Sequence, residues 1–299
     1  MLSPLDRRTA EALPYGRLAD ELAAVLQDPT VQVPERLVMP LPGNASLFVM
    51  PASDARVAMG KLISFTPANS GTPRPTIQGD VLVFDVATGA RVTLLDGPTV
   101  TARRTAALSL LAARHLAACP QGPALIVGAG VQGRAHLEAF AQGLGVRQFF
   151  IASRTRAGAE ALAEHARALG LQAQAVDDPA EVQAQCPLVL TCTPANKVVL
   201  RGPLHPQVWL GAVGAFKPSM IELDPALTRD LAARGRVVVD TPEALHEAGD
   251  LLQAGVPVAQ WQTLAQVLHA PKPPGAAVLF KSCGWAGWDL AAARLATPR

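Results

Sequence analysis

One stretch restricts the possible folds more than any other. Ala124-Leu125-Ile126-Val127 is a short continuous apolar run, the pattern of a strand buried on both faces. It leads directly into Gly128-Ala129-Gly130-Val131-Gln132-Gly133 and then into the helical pattern Arg134–Gly143. G-x-G-x-x-G alone is a weak signal, but between a buried strand and a helix it marks a dinucleotide pyrophosphate site. Gly128 permits the tight turn, Gly130 lets backbone approach the pyrophosphate, and Gly133 lets helix and strand pack closely. Ala129, Val131 and Gln132 complete the loop. Further βα units are expected at Gln148–Ala152 with a helix through Ala168, at Leu188–Cys192, at Val208–Val213, and at Val237–Val239 before a helix over Glu243–Leu252. That alternation predicts an α/β fold with a doubly wound parallel sheet.

Ahead of residue 120 the chain has a different character. Tyr15–Leu26 reads as a helix, and Pro34, Pro40, Pro42 and Pro51 then punctuate extended segments. Arg56–Pro67 alternates cleanly, with Val57, Met59, Ile63 and Phe65 on one face. Lys61 falls on that same face. A lysine among apolar residues is costly unless it meets an anion or a cavity, so Lys61 is a candidate functional group as well as a candidate edge-strand lysine. Asp80–Asp96 reads as a hairpin turning at Ala87-Thr88-Gly89. A helix follows, with Thr99 or Thr101 as N-cap and with Arg103 and Arg104 in its first turn. Cations there oppose the helix dipole, which makes sense if an anion docks beside them; the alternative is that both are solvated.

Composition narrows the function. Of 299 residues 49% are hydrophobic and 17% charged, and Lys+Arg 26 against Asp+Glu 24 leaves a net charge of +2. A nucleic-acid binder would need a concentrated basic face, and disorder would need fewer apolar residues. No apolar run approaches the roughly 18 residues of a membrane span, and no signal-peptide pattern opens the chain. Neither the 4 cysteines nor the 6 histidines show metal-ligand spacing, so no metal is expected. The thiols read as reduced, which points to a cytoplasmic protein.

The strand after the glycine loop ends in Ile151-Ala152-Ser153-Arg154-Thr155-Arg156. An NAD-selective site usually carries an acidic residue here for the ribose hydroxyls. Ser153 and Arg154 instead suit a 2′-phosphate, so NADPH is expected in preference to NADH; the alternative is that Arg154 only caps the following helix.

These residues resemble the ornithine cyclodeaminase/mu-crystallin family along essentially the whole chain. VPERLVMPLP places Arg36, AMGKLISFTPAN places Lys61, DGPTVTARRTAALS places Arg104, and VGAGVQGRAH is the cofactor loop. TCTP at 191–194, GAVGAFKPSMIELD at 211–224, EAGDL at 247–251 and LFKSCG at 279–284 are similar too. The resemblance implies a Rossmann-type domain over 120–271 and a mixed α/β dimerisation and substrate domain over 1–119, completed by 272–299. The final helix, near Ser282–Leu295, would return to that second domain, through which a homodimer forms. Cofactor contacts are implied for Thr193, Val213 and Ser282, the last with helix N-capping as its alternative role.

The family divides by chemistry. Its cyclodeaminases carry an aspartate where this chain has Phe216, and phenylalanine can neither move protons nor position water. Gly214-Ala215-Phe216-Lys217-Pro218 is closer to the bacterial reductases of cyclic ketimines, which turn Δ1-pyrroline-2-carboxylate into proline and Δ1-piperideine-2-carboxylate into pipecolate. On that reading Arg36, Lys61 and Arg104 are a mutually repulsive trio awaiting the substrate carboxylate, and Thr76 adds a hydrogen bond. Orientation matters, since hydride transfer needs its atoms within about 3–3.5 Å. Lys61 is the first candidate to protonate the imine, and Glu247 the second. Two other readings are a cyclodeaminase or alanine dehydrogenase-like NAD enzyme, and a non-enzymatic mu-crystallin-like protein that binds NADPH and small ligands.

Overall fold

The computed structural model describes residues 4–69, 72–194, 196–270 and 275–297. The chain forms two compact units, Met1–Leu108 with Trp285–Arg299, and Ser109–Gly284.

The first unit opens with α1 (Pro4–Glu11), which periodicity did not reveal, and α2 (Tyr15–Gln27), which buries Leu18, Leu22 and Val25. An antiparallel sheet follows in chain order: β1 (Leu37–Leu41), β2 (Ala45–Ser53), β3 (Val57–Phe65), β4 (Ile77–Asp85) and β5 (Arg91–Asp96). β3 lies between β2 and β4, so Lys61 is on a central strand and not on an edge. Val57, Met59, Lys61 and Ile63 are buried on one face, while Leu62 is exposed on the other. α3 (Gly97–Leu116) follows β5 directly. The C-terminal helix, Ala286–Ala296, is alanine-rich and buried from Ala286 to Arg294, and it packs on α2, β2 and β3. Arg294 clips it to Asp54, Asp28 and Glu21, a guanidinium taken out of water only because carboxylates surround it. This ion cluster explains why the two chain ends build one unit.

The second unit contains, in chain order, β6 (Ala124–Val127), α4 (Val131–Leu144), β7 (Gln148–Ala152), α5 (Arg156–Ala168), β8 (Gln172–Val176), β9 (Leu188–Thr191), β10 (Asn196–Leu200), β11 (Trp209–Ala212), β12 (Ile221–Leu223), α6 (Pro225–Arg234), β13 (Gly235–Val239), α7 (Gly249–Ala254), β14 (Trp261–Thr263), α8 (Leu264–Leu268) and β15 (Ala277–Lys281). Eight strands make one parallel sheet, ordered β14-β13-β15-β11-β9-β6-β7-β8, and β10 pairs with β12 apart from it. Strand order reverses between β6 and β9. That switch point opens the crevice where open α/β sheets bind ligands, outside the carboxyl ends of the strands.

The boundaries differ from those implied by the sequence. The division falls at 108/109 and 284/285, not at 119/120 and 271/272. It cuts α3, a continuous helix with no breaker to read, and β15 belongs to the large sheet, between β13 and β11. The C-terminal helix begins at Ala286, not near Ser282. The helix expected over Glu243–Leu252 splits into a 3-10 turn at Pro242–His246 and α7. Gly249 is pressed against the neighbouring backbone there: a Cβ would lie 2.1 Å from the Met220 carbonyl oxygen.

Candidate active site

The glycine loop of the second unit sits at the switch point. Gly128 has φ +114°, and a Cβ on it would lie 2.7 Å from the Cys192 carbonyl oxygen. A Cβ on Gly133 would fall 1.9 Å from the Gly128 carbonyl oxygen. Gly130 is different, with nothing within 4 Å of its added Cβ. Two glycines thus serve the protein's own packing, and the third leaves open space. α4 begins beside that space without a side-chain cap, and Val131 is 71% exposed. Its first-turn N–H groups and positive dipole end favour an anion. Among the described residues Gln132 Oε1 is buried with no hydrogen-bond partner. This cradle fits a dinucleotide pyrophosphate.

The end of β7 is tied to the loop, since Gly128 donates its N–H to the Ala152 carbonyl at 2.8 Å. Ser153 is half-buried and Arg154 exposed. Thr155 caps α5, accepting the Gly158 N–H at 3.2 Å, and Arg156 pairs with Asp177 at 3.0 Å. Arg156 is thus engaged, and Arg154 is the exposed arginine immediately after the end of β7.

A buried carboxylate, to which the sequence reading gave no role, ties together the loops after β9 and β11. Glu222 Oε1 accepts the Thr193 N–H and hydroxyl, each at 2.8 Å. Its Oε2 accepts the N–H groups of Gly214 at 2.7 Å and Ala215 at 3.1 Å. Thr193 is thus held by main chain and side chain together, and Val213 by its N–H to the Thr191 carbonyl at 3.0 Å. Burial pushes the Glu222 carboxyl above the usual range, and the nearby Lys281 ammonium opposes that shift. Lys281 pairs with Asp250 at 2.9 Å, and Asp250 also accepts the N–H groups of Glu222 and Leu223. Ser282 is not a helix N-cap. Its hydroxyl donates to Asp240 Oδ2 at 2.9 Å, which also accepts the N–H groups of Cys283 and Gly284. Phe216 is 39% exposed.

The first unit concentrates charge around Lys61. Lys61 Nζ donates to Asp289 Oδ1 at 2.9 Å and to Thr101 Oγ1 at 2.6 Å. Arg104 Nε lies 3.5 Å from the same Asp289 oxygen. Lys61 is 3% exposed, Arg104 7% and Asp289 0%. Burial lowers the Lys61 ammonium below the ordinary lysine range; Asp289 opposes this and Arg104 adds to it. The cations are therefore not an unbalanced trio, because Asp289 is a resident counter-ion. Arg36 is half-buried immediately before β1. Thr76 is half-buried before β4, its carbonyl accepting the Thr66 N–H at 2.8 Å.

Neither Thr99 nor Thr101 caps α3: Asp96 accepts the Thr99 N–H at 2.8 Å, while Thr101 donates to the Gly97 carbonyl. α3 starts at Gly97, so Arg103 and Arg104 lie beyond its first turn. Arg103 stacks 4.0 Å over the Tyr15 ring and donates to the Leu13 carbonyl, a packing role.

Among the described residues no His/Cys/Asp/Glu group could hold a metal ion, and no helix is long and apolar enough to cross a membrane. A parallel switch-point sheet with this glycine cradle defines a Rossmann-type dinucleotide-binding protein. Comparison with known proteins narrows that class. Residues 15–298 match the ornithine cyclodeaminase/mu-crystallin family, and the chain belongs to it. It is 38% identical to Delta(1)-pyrroline-2-carboxylate reductase 1 of Burkholderia multivorans, over 96% of this chain and 92% of that protein. It is 35% identical to the Delta(1)-pyrroline-2-carboxylate/Delta(1)-piperideine-2-carboxylate reductase of Azospirillum brasilense, with the same coverage of each. In fold it matches the Delta(1)-pyrroline-2-carboxylate reductase of Thermococcus litoralis, solved with NADH and L-proline, at TM-score 0.86 and 24% identity, covering 97% of this chain and 94% of that one. The protein is an oxidoreductase acting on carbon–nitrogen bonds.

Proposed function

We propose that this chain is an NADPH-preferring reductase of cyclic ketimines, taking Δ1-pyrroline-2-carboxylate to proline and Δ1-piperideine-2-carboxylate to pipecolate. The observation that carries the reading is the buried Lys61–Arg104 pair, two cations that share the single carboxylate of Asp289 and so keep a net positive charge for an acidic ligand. The relatives' names support the substrate class. When bound, the reduced nicotinamide supplies the hydride that the imine carbon takes up. Arg104, with Arg36, receives the carboxylate through charge-assisted bonds and fixes the ring's orientation, and the Lys61 charge adds to the field that attracts it. Lys61 gives its proton to the ring nitrogen, and its lowered affinity for that proton makes it a better acid. Thr76 hydrogen-bonds the substrate, and Phe216 helps keep water from hydrolysing the imine.

On the cofactor side, Gly128 to Gly133 and the first turn of α4 cradle the pyrophosphate, while Ser153 and Arg154 favour a 2′-phosphate. Thr193, Val213 and Ser282 line the nicotinamide end. Because Ser282 already donates to Asp240, its hydroxyl meets a ligand as an acceptor.

We extend the reading to a cytoplasmic homodimer. All four cysteines are outside disulfides, which favours a reducing compartment. The sheet face opposite Lys61 favours a second copy, since Leu37, Met39 and Leu41 of the edge strand continue it with Leu62 as exposed apolar side chains.

An absorbance assay at the nicotinamide band tests the reading, offering five- and six-membered cyclic imino acids with either reduced cofactor. NADPH consumption with both substrates is expected, faster than NADH consumption. Cofactor binding with no turnover, or ammonia release from ornithine, would overturn it.

A further inference from the structure

We propose that Asp289 is a positioning residue for the proton transfer: its carboxylate aims the Lys61 ammonium and keeps it protonated at the pH where the imine is reduced. This rests on Lys61 as the proton donor of the proposed reaction.

The geometry gives Asp289 two partners and one decision to make between them. Of the three donors on the Lys61 ammonium, one goes to Asp289 at 2.9 Å and one to Thr101 at 2.6 Å. The third remains for delivery. Thr101 and Asp289 stand on different helices, so together they fix the ammonium in two directions. Across the sheet Lys61 is flanked in register by Met50 and Val81, which cannot titrate. The charged groups facing it are Asp289 from the C-terminal helix and Arg104 from α3. Burial and Arg104 both favour the neutral amine, and Asp289 alone opposes them.

The same carboxylate has somewhere to go once the proton has left. Among the described residues, Arg104 Nε and Asp289 Oδ2 are each buried without a hydrogen-bond partner. Arg104 Nε is 3.5 Å from Asp289 Oδ1, just beyond a good hydrogen bond. When Lys61 becomes a neutral amine, Arg104 is the cation left to balance Asp289. The carboxylate therefore passes from lysine to guanidinium as the proton departs, and returns when Lys61 takes a proton from solvent. Atoms and electrons balance: the imine nitrogen gains the Lys61 proton, the imine carbon gains a hydride from the reduced nicotinamide, and the oxidised cofactor leaves.

The test reads both directions of the reaction against pH in D289N, D289E and D289A, with Δ1-pyrroline-2-carboxylate plus NADPH one way and L-proline plus NADP+ the other. Loss of the carboxylate is expected to move the alkaline fall of reduction and the rise of proline oxidation to lower pH together, by about 1–3 pH units. D289E, which keeps the charge at a displaced position, should keep the native limbs with a lower kcat. D289A suits its alanine-rich helix, and there formate at tens of millimolar should return the limbs toward their native position; it decides the matter if D289N does not fold. Limbs that stay in place in a folded D289N or D289A, while kcat merely falls, overturn the proposal. K61M separates the two ideas: if it abolishes turnover while the D289N limbs do not move, only the role of Asp289 fails. Native turnover by K61M removes the donor, and the positioning role with it.

Discussion

Among the described residues each unit buries one lysine in a strand, and each lysine meets an aspartate at 2.9 Å. Lys61 on β3 pairs with Asp289, and Lys281 at the end of β15 pairs with Asp250. Their proton affinities nevertheless move in opposite directions. For both, burial is the largest influence and disfavours the charge. At Lys281 the fields of Asp250, Cys283 and Glu222 overcome it and raise the pKa. At Lys61 one carboxylate is set against a guanidinium, burial wins, and the pKa falls. A buried lysine with an excess of anions around it is a structural cation. One with a near-balance is poised to give its proton away.

The contrast predicts two different failures. Lys281→Met removes the ammonium that pairs with buried Asp250 and offsets the charge of buried Glu222, which should cost about 3–5 kcal/mol of unfolding free energy. Chemical denaturation with a second-unit fluorescence probe measures it, and a cost below about 1 kcal/mol would mean that Lys281 is not a structural cation. Lys61→Met leaves Asp289 beside Arg104, so its loss of stability should be smaller than that of Lys281→Met. Its turnover should instead fall about 10²–10⁴-fold, with little change in NADPH affinity by titration. If stability and turnover fall alike in both variants, the two lysines do the same work and the comparison is empty.

Lys61 was legible because β3 alternates: a charge on the apolar face of an antiparallel strand stands out. Lys281 carried the same kind of signal in Ala277-Val278-Leu279-Phe280-Lys281. A strand of a covered parallel sheet is apolar on both faces, however, so the sequence says nothing about which way a charge at its end points. The partners are harder still. Asp289 lies 228 residues from Lys61, on a helix whose small side chains give little amphipathic contrast. Glu222, Asp240 and Asp250 each accept main-chain N–H groups from other segments, contacts created only by the strand order. The glycine loop could be read fully because strand, turn and helix are consecutive and its constraint is local. The unit boundary in α3 could not, because nothing breaks that helix at Leu108.

A third buried base extends the contrast to a site whose hydrogen-bond partners are a carbonyl and a hydroxyl. His136 is 0% exposed, with ring nitrogens bonded to the Gln132 carbonyl at 2.7 Å and the Ser109 hydroxyl at 2.9 Å. Burial pushes it down to about 4 from an ordinary 6.5, and the Gln132 carbonyl opposes that only in part. A depressed pKa means that the unfolded chain binds the proton first. Stability is complete above pH 6.5, falls as the pH drops below it, and reaches a total loss of about 3 kcal/mol near pH 4. Thermal unfolding between pH 7 and 4 should show this slope, and His136→Gln should flatten it. An unchanged slope in that variant would assign the acid sensitivity to the carboxylates instead.

The smallest effect is expected where a cation is not buried at all. Arg154 stands exposed at the end of β7, beside the glycine loop, so solvent and salt screen whatever it does. Its contact with a 2′-phosphate would be charge-assisted yet wet, and Arg154→Gln should lower kcat/KM for NADPH about tenfold while leaving NADH nearly unchanged. Screening gives the prediction a second edge. In half-molar salt the wild-type preference should shrink toward that of the variant, whereas turnover changes caused by Lys61, shielded at 3% exposure, should not follow salt. A cofactor preference that survives both the substitution and the salt would locate the choice of phosphate in Ser153 and the backbone around it, and it would leave burial, not charge alone, as what separates the working cations of this protein from its decorative ones.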